Sequence, residues 1–587
     1  MNAERTREKG AEARLFSEQL MAELGRALAD RGFVTREQIE QLNARRALTG
    51  ETLHRMLVKE GLVRDSDALK VLSDLTNIPF RRIGDFHITK ETANTIQPRV
   101  ALRYKIMPLE TGGGTITLAA SEVPDVSTVD SLRMLLGLAI EWVLCSGRDI
   151  TKSIKHFYGL GAETVDNLVE DAPDTEIELP GRDVSVEAAD EGVVRFVNQI
   201  IAEAISLDAT DIHIEPFESA LRLRYRIDGI LQEIPVPQGV ARLHKPIVSC
   251  VKIMADMNIA ERRKPHDGRI KVRSGKEEFD LRVSILPTAY GETVNMRILN
   301  RSSMFIELED LGLMESQLPV VKELSALPHG VILLTGPTGS GKTTTLYAVL
   351  SRINNNEVKI ITVEDPIEYQ MQGINQIQTH AGIGLTFASI LRSILRHDPD
   401  IVLIGEIRDR ETADIAVRAS LTGHLVFSTL HTNDAPSAIT RLLDMDIEPF
   451  LISSTLEAVI AQRLVRRICN SCKAESAPDK SLVEEIASVY PDSMGNAKFY
   501  HGRGCPNCNF TGYKGRLALF EIMVLNDDLR GMIVHQQPAN EIRHKAVEHG
   551  LVTLRNDGWR RVLQGMTTVE EVVRVARKTE SRTKQKP

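Results

Sequence analysis

The chain has no long apolar run. The longest stretches, such as Val331–Leu334 and Ile401–Ile404, fall far short of the ~20 residues a membrane-spanning helix needs. The opening stretch MNAERTREKGAEAR is charged and has no apolar core, so no secretory signal is expected and the protein should stay in the cytoplasm. Cysteine is scarce, at 6 of 587 residues, and in a reducing compartment such residues serve as thiols or metal ligands rather than disulfides. Aromatic residues make up only 4%, and 72 Lys+Arg against 80 Asp+Glu leave a net charge of −8. Binders of single strands use aromatic stacking platforms, and dedicated nucleic-acid binders carry a basic excess. No nucleic-acid partner is therefore expected.

Hydrophobic residues at 42% and charged residues at 26% are ordinary for a globular protein and exclude global disorder or a collagen-like repeat. At about 150 residues per domain the length suggests three or four domains. Residues 15–80 read as a loose helical repeat. Leu24-Gly25 to Gly32 is followed by Phe33-Val34 and a helix, and Leu53-His54 to Gly61 is followed by Leu62-Val63 and a helix, with helix starts at Thr35 and Asp65. Residues 81–160 mix a strand at Thr115–Ala119 with a helix at Val126–Leu136, a small α/β module. Residues 161–191 are acidic, nearly free of bases, and include Pro173, Pro180 and Gly181; an extended, self-repelling linker is expected.

A helix is predicted over Val193–Ser206, followed by the alternating strands DIHIEP, LRLRYRID and FDLRVSIL. Alternation puts Arg222, Arg224 and Arg226 on one strand face, with Leu221, Leu223, Tyr225 and Ile227 on the other, and sets Arg282 beside Asp280. Strand and helix alternate over residues 305–465, the pattern of a largely parallel α/β sheet. Residues 466–530 hold four of the six cysteines, and the remainder reads as helical, with a basic tail, SRTKQKP.

The sharpest motif is Gly336, Pro337, Thr338, Gly339, Ser340, Gly341, Lys342, Thr343 and Thr344, which contains the phosphate-loop pattern GxxxxGK[ST]. It sits between a buried strand (Val331–Leu334) and a helix (Thr343–Ile353). Glycines let backbone amides converge on phosphates, and the helix N-terminus adds positive partial charge. Lys342 would pair with the β/γ-phosphates of ATP, and the Thr343 hydroxyl would hold Mg²⁺. Three further apolar runs end in polar groups: Ile360–Val363 in Glu364-Asp365-Pro366, Ile401–Ile404 in Gly405-Glu406-Ile407-Arg408-Asp409, and Leu425–Leu430 in His431-Thr432-Asn433. Ligands of open α/β sheets bind at the carboxyl ends of the strands, so these segments aim at one crevice. Of the two carboxylates, Glu364 and Glu406, one would organise Mg²⁺ and the other the attacking water, with His431 a candidate γ-phosphate sensor.

With these residues in place, roughly residues 190–570 resemble the secretion ATPases of type II secretion and type IV pilus assembly. The resemblance rests on GPTGSGKTTTLY, ITVEDPIEY, LRSILRHDPDIVLIGEIRD and TGHLVFSTLHTND, in the family's order, with ATDIHIEP, LRLRYRIDG and RRKPHDGRI upstream. It implies a RecA-like P-loop ATPase core, an α+β second N-terminal domain and a hexameric ring. It implies that Glu364 acts on the attacking water and that Glu406 organises Mg²⁺. It also makes His424 and His431 the two histidine-box positions. By the same resemblance the second N-terminal domain supplies arginines to ATP, for which Arg224, Arg226, Arg269 and Arg282 are the candidates. The implied output is mechanical: the ring acts on an inner-membrane platform protein and extrudes pilin-like subunits. The protein would then be cytoplasmic but associated peripherally with the inner membrane through its partners.

Cys469-x2-Cys472 and Cys505-x2-Cys508 are two knuckle pairs separated by 32 residues. Four thiolates make a closed structural Zn²⁺ site; four unliganded thiols or a redox pair is the alternative. The resemblance favours zinc, because assembly ATPases of this family often carry a tetracysteine module here and retraction ATPases lack it. Cys145 and Cys250 read as buried thiols. The helical repeat resembles one that in some family members binds cyclic di-GMP through an Arg before the Leu-Gly and a Gln at the end. Here those positions hold Glu23 and Thr52, His54 replaces the second glycine, and the glutamines are missing. Docking to a cytoplasmic protein of the machine is expected instead.

The expected organisation is a mainly helical N-terminal docking domain with a small α/β module (1–160), the acidic linker (161–191), the second N-terminal α+β domain (192–305), the RecA-like core (306–465), a tetracysteine zinc module (466–530), and C-terminal helices with the tail (531–587). A DNA-uptake or conjugation-type ATPase, or a nucleotide-gated binding module without sustained turnover, are the alternatives.

Overall fold

The structure, a computed structural model, describes residues 19–49, 51–159, 191–237, 239–275, 277–300, 306–495 and 497–576. The predicted acidic linker, apart from Glu191, and the basic tail lie outside the described residues. The chain divides into two compact units. The first comprises Met1–Arg269, Val283–Arg297 and Arg503–Thr511; the second comprises Ile270–Arg282, Ile298–Gly502 and Gly512–Pro587.

In the first unit the predicted repeat is helical at 19–30, Arg36–Thr49, Leu53–Lys59 and Asp65–Thr76. Gly32 and Gly61 follow helices of the two copies at φ +74° and +71°, left-handed positions that suit glycine. Leu24, Leu28, Leu53, Leu57, Leu69 and Leu72 bury their side chains in one core. The α/β module pairs β1 (Ile106–Gly112) antiparallel with β2 (Thr115–Ala120), and β2 parallel with β3 (Ala139–Leu144). A parallel pair needs a crossover, and helix Val126–Leu136 supplies it.

Helix Glu191–Ser206 starts two residues before the predicted Val193. It leads into β4 (Ala209–Pro216), β5 (Leu221–Ile227) and β6 (Ile230–Ile234). With β7 (His266–Ser274), β8 (Glu277–Thr288) and β9 (Gly291–Asn300) they form a six-stranded sheet in the order β6-β5-β4-β9-β8-β7. The β5–β6 hairpin turns on Asp228 and Gly229 at φ +49° and +83°, the positive values that favour Asp-Gly. Burial alternates along β5 as its sequence predicts: Leu221, Leu223 and Tyr225 are buried, while Arg222 is exposed and Arg224 and Arg226 are half-buried.

The second unit is built on β10 (Gly330–Thr335), β11 (Ile360–Glu364), β12 (Asn375–Gln378), β13 (Ile401–Ile404), β14 (Leu425–Leu430) and β15 (Leu456–Ile468). Strands β16 (Lys473–Ser476) and β17 (Phe499–Gly502) pair antiparallel, and β18 (Tyr513–Val524) returns to the main sheet. The sheet order is β12-β11-β13-β14-β10-β15-β18, parallel from β12 to β15 and antiparallel at β18. Every residue of β10, β11, β13 and β14 is buried, which is why these strands read as continuous apolar runs. Val331 and Leu333 enter one core while Ile332 and Leu334 enter the other, so the sheet is filled on both faces. This is the RecA-like arrangement expected. Helices Asp527–Val534, Ala539–Glu548, Leu554–Leu563 and Val569–Val575 complete the unit, as expected of the C-terminal stretch.

Candidate active site

Between β10 and helix Lys342–Ile353, Gly336, Gly339 and Gly341 take φ values of +151°, +79° and +89°. A Cβ on Gly336 would lie 2.6 Å from both the Gln462 carbonyl oxygen and Ser340 Oγ, and one on Gly341 would lie 2.8 Å from Gln462 Nε2. Space and backbone thus both require glycine, and β15 forms the floor that imposes it. Gln462 is also fixed from the other side, by the Thr345 hydroxyl donating to its Oε1 at 2.8 Å. Lys342 Nζ donates to the carbonyls of Gly336 (2.7 Å) and Pro337 (3.1 Å). Burial pushes the Lys342 ammonium down to about 8; Glu406 opposes that shift and Arg463 adds to it. Ser340 Oγ is buried with no hydrogen-bond partner. An orphaned hydroxyl, an under-compensated ammonium and a helix N-terminus fit a phosphate chain. The Thr343 side chain is exposed on the first turn, and with Glu406 it offers the hard oxygen donors that suit Mg²⁺.

Strands β11 and β13 pair in register, Val363 opposite Ile404, and Gly405 N–H donates to the Val363 carbonyl at 2.8 Å. This brings Glu364, which ends β11, and Glu406, just past β13, to adjacent strand ends. Glu364 is buried. Glu406 is paired with the Arg408 guanidinium and lies 3.2 Å from His431 Nε2, while Arg408 also approaches Asp365 at 4.0 Å. Thr335, the last residue of β10, ties the histidine loop to the phosphate loop: its Oγ1 lies 2.7 Å from Thr432 Oγ1 and accepts from the Thr432 N–H at 2.9 Å.

His424 is not brought to this crevice. It precedes β14 while His431 follows it, and a strand rise of about 3.3 Å per residue puts roughly 20 Å between them. Its Nδ1 bonds the Ala419 carbonyl at 2.8 Å and the Thr422 hydroxyl at 3.0 Å, contacts at the far end of the sheet. Among the arginine candidates, Arg282 reaches the segment after Glu364, with NH2 3.3 Å from the Ile367 carbonyl and 3.3 Å from Glu368 Oε2. In the first unit, Arg224 pairs with Glu215 at 2.6 Å and Arg226 with Asp211 at 3.5 Å, while Arg269 is exposed on β7. Local carboxylates therefore hold Arg224 and Arg226.

Sequence reasoning did not single out Thr335, Arg408 or Gln462. Arg408 stood in the quoted Gly405–Asp409 stretch, so position gave a signal; Gln462 comes from a strand 120 residues beyond Lys342 and gave none. The four cysteine sulfurs, from Cys469, Cys472, Cys505 and Cys508, lie within 4.8 Å of one another. Cys505 N–H donates to Cys508 Sγ at 3.2 Å, and Asn509 and Phe510 close the second knuckle at φ +49° and +59°. A compact, largely buried four-thiol set fits a tetrahedral Zn²⁺. Cys145 and Cys250 are buried, as expected.

A family profile described as Type II/IV secretion system protein matches residues 186–574, and an MshEN domain profile matches residues 76–164, the α/β module rather than most of the helical repeat. The chain is 41% identical over 558 residues to the type IV pilus assembly ATPase PilB of Myxococcus xanthus, covering 94% of this chain and 98% of that one. It is 42% identical over 562 residues to the type II secretion system protein E of Xanthomonas campestris, covering 94% and 96%. A crystal structure of the pilus retraction motor PilT with bound ADP aligns at 27% identity and a TM-score of 0.44, over 65% of this chain and 96% of that one.

Proposed function

The chain belongs to the type II/IV secretion system protein family and is an ATPase of that family; from that premise we propose that it is a hexameric, Mg²⁺-dependent motor whose hydrolysis of ATP drives assembly of a pilin-like filament. The carrying observation is that Glu364 and Glu406, at the adjoining ends of β11 and β13, share the carboxyl edge of one parallel sheet with Lys342, which follows β10 and feels the Glu406 charge. Lys342 and the loop amides would bind the β/γ-phosphates, Glu364 would orient the attacking water, and His431 would report on the γ-phosphate. Thr343 and Glu406 would hold Mg²⁺, which when bound neutralises charge on the phosphates. Arg282, beside the Glu364 segment, is the best supported of the proposed arginines; Arg224, Arg226 and Arg269 would serve from the second N-terminal domain.

The cysteine quartet would hold a structural Zn²⁺, and the six-part division of the chain from docking domain to C-terminal helices is part of this proposal. The relatives named for pilus assembly and for type II secretion are nearly equally similar, at 41% and 42% identity, so the proposal is placed at the filament-assembling machine the two share. Among the described residues no helix is long and apolar enough to cross a membrane. Attachment to the inner membrane is proposed to run through a platform protein and a cytoplasmic docking protein. No nucleic-acid partner is proposed, nor is cyclic di-GMP, given Glu23, Thr52 and His54.

The test is Mg-ATP hydrolysis against protein concentration, with Lys342→Ala protein mixed in at increasing ratios. A ring motor predicts specific activity that rises with concentration and falls more steeply than the mutant's share. Activity linear in protein and merely diluted by the mutant would sink the shared-site reading.

A further inference from the structure

Glu364 is held by residues from three separate segments. The Tyr347 hydroxyl donates to its Oε2. The Thr362 hydroxyl donates to Oε1 at 2.6 Å, and Gln376 Nε2 donates to Oε1 at 3.2 Å. Tyr347 lies on the helix that begins at the phosphate loop, Thr362 two residues back on β11, and Gln376 on β12, where it pairs in register with Thr362. Tyr347 and Thr362 are fully buried. Burial and the neighbouring Glu364 carboxylate hold the Tyr347 phenol far above its ordinary range, so it remains a donor. The Gln376 amide has a set orientation, because its Oε1 accepts from the Met371 N–H at 2.7 Å and its Nε2 also donates to the Tyr369 carbonyl at 3.1 Å.

An ionised carboxylate presents about four lone-pair directions, two on each oxygen. Thr362 and Gln376 occupy both on Oε1, and Tyr347 occupies one on Oε2. One direction on Oε2 is left. We propose that Tyr347, Thr362 and Gln376 are positioning residues that clamp Glu364 so that the remaining lone pair of Oε2 receives the attacking water. The proposal rests on the reading of Glu364 as the water-orienting carboxylate. It adds a mechanical consequence: Lys342 and Tyr347 share one short helix, so the group that binds phosphate and the group that aims the carboxylate move as one body.

The experiment uses the full chain carrying Tyr347→Phe or Thr362→Val, each removing one hydroxyl while keeping the packing volume. The Phe ring retains the edge-on contact that Tyr347 makes with Tyr369, whose centroid is 4.4 Å away. Each variant is expected to lose ~10-fold in kcat, since small misplacements of a reacting group are costly. KM for ATP and the affinity for a non-hydrolysable analogue should stay within about twofold, and Thr362→Ser should restore turnover, because a uniform-binding defect would instead raise KM. Unchanged kcat in both variants overturns the proposal. So does loss of analogue affinity in step with kcat, or a Thr362→Ser protein as slow as Thr362→Val, since either assigns these side chains to packing. Glu364→Gln separates the premise from the inference. If that variant turns over normally, the reading of Glu364 fails; if it is inactive while Tyr347→Phe and Thr362→Val run at full rate, Glu364 keeps its role and the clamp does not.

Discussion

Replacing Glu571 by glutamine is expected to weaken the C-terminal end of the second unit by about 3 kcal/mol at neutral pH, and to weaken it much less in acid. Glu571 is 2% exposed. Its carboxylate accepts from the Arg466 N–H (2.9 Å) and guanidinium (2.7 Å), and from Arg574 at 3.0 and 2.8 Å. Burial alone would raise its pKa, but the bonds from Arg574 and Arg466 outweigh burial and bring it down to about 2 from 4.5. That gap of 4.5 − 2, about 2.5 pH units at ~1.36 kcal/mol each, is about 3 kcal/mol. The folded pKa is the depressed one, so this stabilisation is fully present above pH 4.5 and is lost as pH falls toward 2; ~2 kcal/mol of it is gone by pH 3. Trp559 is buried in the same helical end and Trp142 is the chain's other tryptophan. Urea unfolding followed by Trp559 fluorescence in a Trp142→Phe background therefore reads the effect locally, and comparing the two proteins at pH 7 and pH 3 cancels every other carboxylate. A difference under ~1 kcal/mol at pH 7, or one that does not shrink in acid, would refute the reasoning. Arg466 shares β15 with Gln462, so the same anchor supports the floor of the phosphate loop.

Other outcomes follow from the site. Gly341→Ala should weaken nucleotide binding by ~10-fold or more, because the new Cβ would meet Gln462 Nε2 at 2.8 Å in a left-handed backbone; titration with a fluorescent ATP analogue reads this. His431→Ala should lower kcat by ~100-fold while His424→Ala leaves kcat within about twofold, since only His431 reaches the crevice. Equal loss of kcat in both would contradict the placement of His424. Elemental analysis should find about one zinc per chain, falling to background in a Cys505→Ser/Cys508→Ser protein that also melts at lower temperature. Retention of zinc by that variant would remove the quartet as its ligand set.

The parts that were readable along the chain share one property: their information is local. The phosphate loop is a contiguous motif whose glycines are demanded by its own turn, and the strands on either side are apolar because both faces of the sheet are covered. The Arg/Leu alternation of β5 was legible because side chains on a strand have a period of two. The two histidines show where a resemblance outran geometry. One stands before an apolar run and the other after it, and a single strand cannot deliver both ends to one crevice.

Local chemistry along the sequence determined the phosphate-loop motif, the two strand-end carboxylates, the two cysteine pairs and the main run of helices and strands, because each depends on residues within one element or on spacing. Tertiary structure alone decided what surrounds them. It brought Gln462 under the phosphate loop, set His431 on Glu406, and drew Tyr347 and Gln376 around Glu364. Those contacts join segments whose separation in sequence carries no periodic signal. They exist because a parallel sheet places strands distant in sequence side by side and in register.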